Sequence, residues 1–228
     1  VKPNIAKFTE SGVVFDDGTE VHNVDTVIFA TGFKFAFPTL ENGTLLNVHQ
    51  NKVNLYQLMF PPALAPKNSL AIIGLIQPTG SIMPISELQA RVFMGQLSGE
   101  TKALPPQEEM IKIMDKRNKL NQKTFTDRPR HTIQVDYVTY MDELAKLIGV
   151  KPDLTKYAVK DPMLAKKLLF HGLVPYQYRL NGPYKWDGAR EAILGFEERV
   201  FETTRTRRTE ETMKSKPICK LYQFRYLK

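Results

Sequence analysis

Cysteine is almost absent from this 228-residue chain: Cys219 stands alone. A disulfide framework within the chain, a cysteine-based zinc site and a CxxC redox pair are thereby excluded. Long apolar runs are missing too. The longest are Val27–Ala30 and Leu70–Ile76, far short of the roughly 20 residues that a membrane-spanning helix needs. Neither GxGxxG nor GxxxxGK occurs, so the chain carries no glycine-rich phosphate cradle of its own. HExxH and GxSxG are absent as well. His22, His49, His131 and His171 sit in unrelated contexts without a partner at ligand spacing, and no metal site is expected. The chain begins with Val1 and no charged-then-apolar leader follows, so it reads as a segment starting inside a longer protein, without a signal peptide.

Positive charge is plentiful but uneven. The formal net charge is +8, and nine Lys and Arg against three Glu place +6 of it between Arg199 and Lys228. The body is therefore close to neutral, which argues against a nucleic-acid-wrapping domain. The basic segment interleaves Phe201, Tyr222, Phe224 and Tyr226 with its charges. It reads as a disordered tail, with an anionic membrane surface as the partner it would suit.

What remains is an ordinary globular composition, 42% hydrophobic and 25% charged. Asn4–Phe8 and Gly12–Phe15 alternate weakly, and Asp17-Gly18 is a tight-turn signal, so a small antiparallel hairpin is expected. Asp16-Asp17 is then turn chemistry rather than an acid–base pair. Asp25–Ala30 and Leu70–Gly74 are consecutive apolar runs, each followed by or ending in glycine, and read as fully buried strands. A short strand is expected at Val53–Tyr56. A helix should start near Pro84 and fade by Gly99, and a second should follow Pro105-Pro106, with Glu108 and Glu109 in its first turn. Further helices are expected over Tyr137–Ile148, from Asp161-Pro162 to His171-Gly172, and from Asp187–Ala189 to about Phe201. The class is α/β: two buried strand ends with small residues, Ala30-Thr31-Gly32 and Gly74-Leu75-Ile76-Gln77, then a helical C-terminal part. In open α/β sheets ligands sit beyond such strand ends.

The ordered set DTVIFATGF, FPP, LAIIGLIQPTGSIMPISELQAR, DYVTYMDELA and PYQYRLNGPYKWDGAR resembles the C-terminal portion of a flavin-containing monooxygenase, the dimethylaniline N-oxide-forming family. The resemblance covers roughly Val1–Ile193. It implies an incomplete Rossmann-like FAD/NAD(P)-binding core, with FAD and NADPH as cofactors. It also implies a C4a-hydroperoxyflavin that oxygenates small amine or sulfur substrates, and an endoplasmic reticulum membrane location, although no anchor is visible in this chain. Residues 1–100 would complete the FAD domain after the NADPH-domain insertion, and residues 101–198 would border the substrate passage. Residues 199–228 would be the tail. Carried onto this chain, the cofactor-binding residues are Ala30, Thr31, Gly32, Gln77 and Ser81. Gln77 is also the catalytic-site residue, beside flavin and substrate. The family's glycine-rich fingerprints have no counterpart here, which predicts that the chain alone is inactive. The alternative reading is a catalytically dead remnant that binds a partner or a membrane.

Overall fold

The computed structural model describes residues 1–125 and 131–204. Two compact units divide the chain at Phe35. In the smaller one, β1 (Ile5–Phe8), β2 (Gly12–Phe15) and β3 (Glu20–His22) form an antiparallel meander in the order β1-β2-β3. The expected Asp17-Gly18 turn joins β2 to β3. Gly18 supplies a φ of +78°, and the Asp17 carboxylate accepts from Thr19 N (3.0 Å) and Thr19 Oγ1 (2.7 Å). Those two bonds hold the Asp17 carboxyl below its ordinary pKa, a turn-building role. Gly12 is required for a different reason: a Cβ there would lie 2.2 Å from Val21 O.

The run Asp25–Ala30 corrects the expectation of a buried strand. It has no regular secondary structure, pairs with no strand among the described residues, and leaves Ile28 86% and Phe29 71% exposed. Consecutive apolar residues form a strand only where neighbours supply a ladder and cover both faces. Val24 N donates to Ser11 O (3.0 Å), and the pairing stops there.

The larger unit is mainly helical. Its strands are short: β4 (Val48–His49) and β5 (Lys52–Val53) form a hairpin, and β6 (Gln77–Pro78) runs parallel to β7 (Gln134–Val135). Gln50 and Asn51 link β4 to β5 with φ of +50° and +61°, the backbone of a type I′ turn. Leu70–Gly74 is likewise no strand. It is a half-buried segment without regular secondary structure, tied down by Ile72 N donating to Met59 O (2.9 Å).

Seven helices follow among the described residues: α1 (Ile82–Ser98), α2 (Gln107–Thr124), α3 (Tyr137–Leu147), α4 (Leu154–Lys160), α5 (Pro162–Phe170), α6 (Ala189–Leu194) and α7 (Phe196–Thr204). Local chemistry accounts for their ends. Asp136, Asp153 and Asp161 cap α3, α4 and α5 by accepting backbone N–H bonds. Gly99 closes α1 at φ +72°. α4 was not expected from the sequence, and the single helix expected from Asp187 is broken at Gly195 into α6 and α7. α7 continues through Thr204; the rest of the expected tail, 205–228, lies outside the described residues.

The main core collects Met59, Phe60, Ile85, Leu88, Val92, Met110, Met141 and Leu144, all buried, where α1 packs along α3. Each such side chain contributes about 1.5–3 kcal/mol on burial. Leu164, Leu168, Val174 and Ile193 form a second cluster under α5 and α6. The α/β class holds, with helices dominant. No helix among the described residues is long and apolar enough to cross a membrane.

Candidate functional site

The predicted site residues fall in both units, and each group has its own geometry. In the smaller unit, Ala30 and Thr31 line a shallow apolar groove with Phe8 and Phe29, whose rings meet edge-on at 6.0 Å. Gly32 has φ +80°, and no atom stands within 4 Å of where its Cβ would be. The turn therefore needs glycine for its conformation, and the space beside it is open.

In the larger unit, Gln77 and Ser81 belong to one exposed segment leading into α1. Gln77 N donates to Ile133 O (2.9 Å), which fixes the backbone and leaves the residue exposed. Ser81 is the N-cap of α1, yet its hydroxyl makes no capping bond. The first turn of α1 carries no acidic side chain, so the positive end of the helix is not cancelled locally. Gly80 has a packing reason: its Cβ would lie 2.9 Å from the Tyr137 ring. A hydroxyl, open backbone N–H groups and no carboxylate suit the electron-rich carbonyl edge of a flat ring, so these residues fit a flavin.

The segment is anchored from beneath by a buried polar chain. Gly74 N donates to Gln89 Oε1 (2.8 Å), Gln89 Nε2 donates to Tyr140 Oη (2.8 Å), and Tyr140 Oη donates to Gln57 O (2.6 Å). Gln89 is fully buried on the apolar face of α1 between Leu88 and Val92. Burial pushes the Tyr140 phenol far above its ordinary pKa, so it stays a neutral donor. Arg117 completes the chain: it donates to Gln57 Oε1 (2.6 Å), pairs with Glu143 and lies 5.4 Å over the Tyr140 ring. The sequence signal for this chain was present but silent, an amide inside an apolar stripe.

Two distant motifs also meet. Arg91, of ELQAR, donates through Nη2 to Tyr178 O and Pro183 O, both at 3.1 Å. Arg179, of YRLNGP, donates to Glu87 Oε1 at 2.6 Å. Burial lowers the Arg91 pKa and neighbouring Glu87 opposes that shift; the group stays charged. Gly182 and Gly188 are needed for space, since a Cβ would come within 2.9 Å of Val150 and 2.5 Å of the Trp186 ring. Arg190 Nε donates to Asp161 Oδ2 at 2.6 Å. Much of the C-terminal motif is therefore scaffold. The histidines hold no cluster: among the described residues no group of three or more His, Cys, Asp or Glu could hold a metal.

A family model described as flavin-binding monooxygenase-like matches residues 1–227. The chain belongs to this flavin-binding monooxygenase-like family. It is 50% identical over 210 residues to flavin-containing monooxygenase 5 of Rattus norvegicus, covering 92% of this chain and 39% of that protein. It is 43% identical over 228 residues to dimethylaniline monooxygenase (N-oxide-forming) 2 of Oryctolagus cuniculus, covering 98% of this chain and 41% of that protein. Among solved structures, S-allyl-L-cysteine S-oxygenase from Allium sativum matches with a TM-score of 0.54 at 27% identity, over 87% of this chain and 43% of that one. The chain thus spans about two fifths of the length of these relatives. The flavin monooxygenase family makes flavin and NADPH the cofactors to consider at the segments just described.

Proposed function

We propose that this chain is the C-terminal part of an NADPH- and FAD-dependent monooxygenase acting on soft nitrogen or sulfur nucleophiles. The observation that carries this reading is the open α1 entrance. It joins an exposed Gln77, an uncommitted Ser81 hydroxyl and an acid-free helix start in one segment.

A bound flavin reduced by NADPH supplies the oxygen transfer. Residues of this chain hold and shield it. Ser81 and the first-turn N–H groups of α1 bind the ring's electron-rich edge, and Gln77 orients the reacting face toward substrate. In the smaller unit, the open space beside Gly32 suits a flat ring lying against the backbone of Ala30, Thr31 and Gly32. In the whole protein Asp25–Ala30 would gain the ladder it lacks here by joining an incomplete Rossmann-like sheet. In the same reading residues 1–100 complete the FAD domain, and the Tyr178–Arg190 loop within 101–198 borders the substrate passage. The protein works at an endoplasmic reticulum membrane, as the family does. The chain alone lacks a phosphate cradle, so weak flavin binding and no turnover are expected of it.

The test is a titration of the purified chain with FAD, followed by protein fluorescence and flavin absorbance. Wild type should bind, and Ser81→Asp should weaken binding about tenfold by placing a charge at the helix start. NADPH-dependent S-oxidation of a simple thioether is expected to be absent. Equal flavin binding by wild type and variant would sink the assigned contacts, and full turnover by the isolated chain would sink the expected inactivity.

A further inference from the structure

Glycine follows asparagine twice in this chain, and the two pairs are used differently. Asn181-Gly182 is scaffold: Asn181 Oδ1 accepts from Tyr157 Oη (2.8 Å), and Gly182 leaves room for Val150. Asn42-Gly43 belongs to a tight turn over Glu41–Gly43, where φ is +47°, +54° and +85°. Backbone bonds close it: Gly43 N donates to Leu40 O (2.8 Å) and Thr44 N to Glu41 O (3.1 Å). This conformation accounts for asparagine and glycine as residue types, since both tolerate positive φ. It makes no use of the Asn42 side chain, which is exposed and engaged in no hydrogen bond among the described residues.

Thr44 completes a second pattern. Of the ten asparagines in the chain, Asn42 is the one with Ser or Thr two residues on and a residue other than proline between. Thr44 is exposed, and its hydroxyl donates to Glu41 O (2.7 Å), which leaves the oxygen lone pairs open. Asn-x-Thr on a surface turn is an acceptor for an N-linked oligosaccharide. The surroundings have room for one. Leu46 is the one buried residue between 36 and 50, and a Cβ on Gly43 would come no nearer than 3.9 Å to Pro38. A bulky polar group on Asn42 therefore displaces no core.

We propose that Asn42 is an N-glycosylation site, which takes its oligosaccharide from a lipid diphosphate donor in the endoplasmic reticulum lumen. Asn42 Nδ2 bonds to the anomeric carbon of the first sugar and loses one proton. The anomeric C–O bond breaks, and the lipid diphosphate leaves with its electron pair; nothing is oxidised or reduced. This rests on the endoplasmic reticulum location of the proposed function, because the donor is held there, and it requires the Glu41–Thr44 turn to meet the lumen.

The test expresses the 228-residue chain behind a cleavable secretory leader in cultured mammalian cells. A peptide beginning at Val1 in mass spectrometry shows that the leader was removed and the lumen entered. The chain should carry one glycan, seen as a slower gel band that a peptide N-glycosidase collapses. Digestion in H₂¹⁸O should leave ¹⁸O-labelled aspartate at position 42, which separates glycan release from spontaneous deamidation at Asn-Gly. Asn42→Gln and Thr44→Ala should each abolish the slower band, and Thr44→Ser should keep it. All three alter exposed side chains, so circular dichroism should be unaltered. A leader-processed chain without a glycan, or a glycan that survives Asn42→Gln, would overturn the proposal. Delivery by the leader keeps an error in the assigned location from counting against the acceptor, and the flavin titration reads the monooxygenase assignment separately.

Discussion

In the smaller unit, Val1–Phe35, the one buried hydrophobic side chain is Val13, whereas every other buried hydrophobic side chain among the described residues belongs to the larger unit. Both units contain apolar runs of similar length, VIFA in one and LAII in the other. The difference is what surrounds them. LAII is half-buried, and Ile72 is bonded to Met59. VIFA has no ladder partner among the described residues. Hydrophobicity in a sequence states a demand for burial; the fold decides whether the demand is met.

The largest effects that test this contrast are in the core of the larger unit. Leu88 is 1% exposed, and Leu88→Ala should cost about 2–5 kcal/mol of stability through lost transfer energy and a residual cavity. Urea unfolding followed by circular dichroism reads this directly. A cost below about 1 kcal/mol would mean that α1 and α3 are not packed as described. Gln89→Leu comes next. It removes the acceptor for Gly74 N and the donor to Tyr140, so about 1–3 kcal/mol is expected. In hydrogen exchange the Gly74 amide should lose protection before the α2 amides do. Unchanged Gly74 protection would show that the buried chain does not hold the segment before Gln77.

Much of this was legible beforehand, and the reasons are local. The Asp17-Gly18 turn, the Pro106 entry to α2, the Asp161 cap and the Gly99 stop are each set by residues within one turn of the feature. α4 escaped because Leu154–Lys160 is seven residues with no buried face and a weak apolar pattern; its Asp153 cap was the available signal. The two strands were misread because a consecutive apolar run says nothing about where its neighbours are. The site divided in the same way. Ser81 could be placed beside a helix start from sequence, whereas the joining of Arg91 to Tyr178 and Pro183, and of Gln89 to Tyr140, spans about 50–90 residues and leaves no local trace.

A smaller effect is expected at the α5 cap. Asp161 pairs with Arg190 and accepts from Leu164 N (3.1 Å), and these, Arg190 foremost, hold its carboxyl below the ordinary range. Asp161→Ala should cost about 1 kcal/mol near neutral pH, chiefly the cap. The sign with pH follows from the lowered value. The carboxylate's contribution is present above the unfolded-state pKa of about 3.9 and is lost as pH falls through the folded value. Wild type and variant should therefore converge in urea midpoint on acidification below about pH 4. A gap that persists undiminished at pH 2 would locate the effect elsewhere.

The smallest stability effect belongs to the exposed run, and it decides whether the contrast between the units is real. Ile28→Ser and Phe29→Ser alter side chains that are 86% and 71% exposed, so each should change stability by no more than about 0.5 kcal/mol. Their effect should appear in association instead. An exposed apolar run with no ladder partner among the described residues is a template for another strand. Sedimentation velocity over a concentration series should show wild type self-associating and the double variant staying monomeric, with matching circular dichroism. Were the double variant to lose several kcal/mol in urea instead, VIFA would be buried in solution. The smaller unit would then have found the partner that its described residues do not provide.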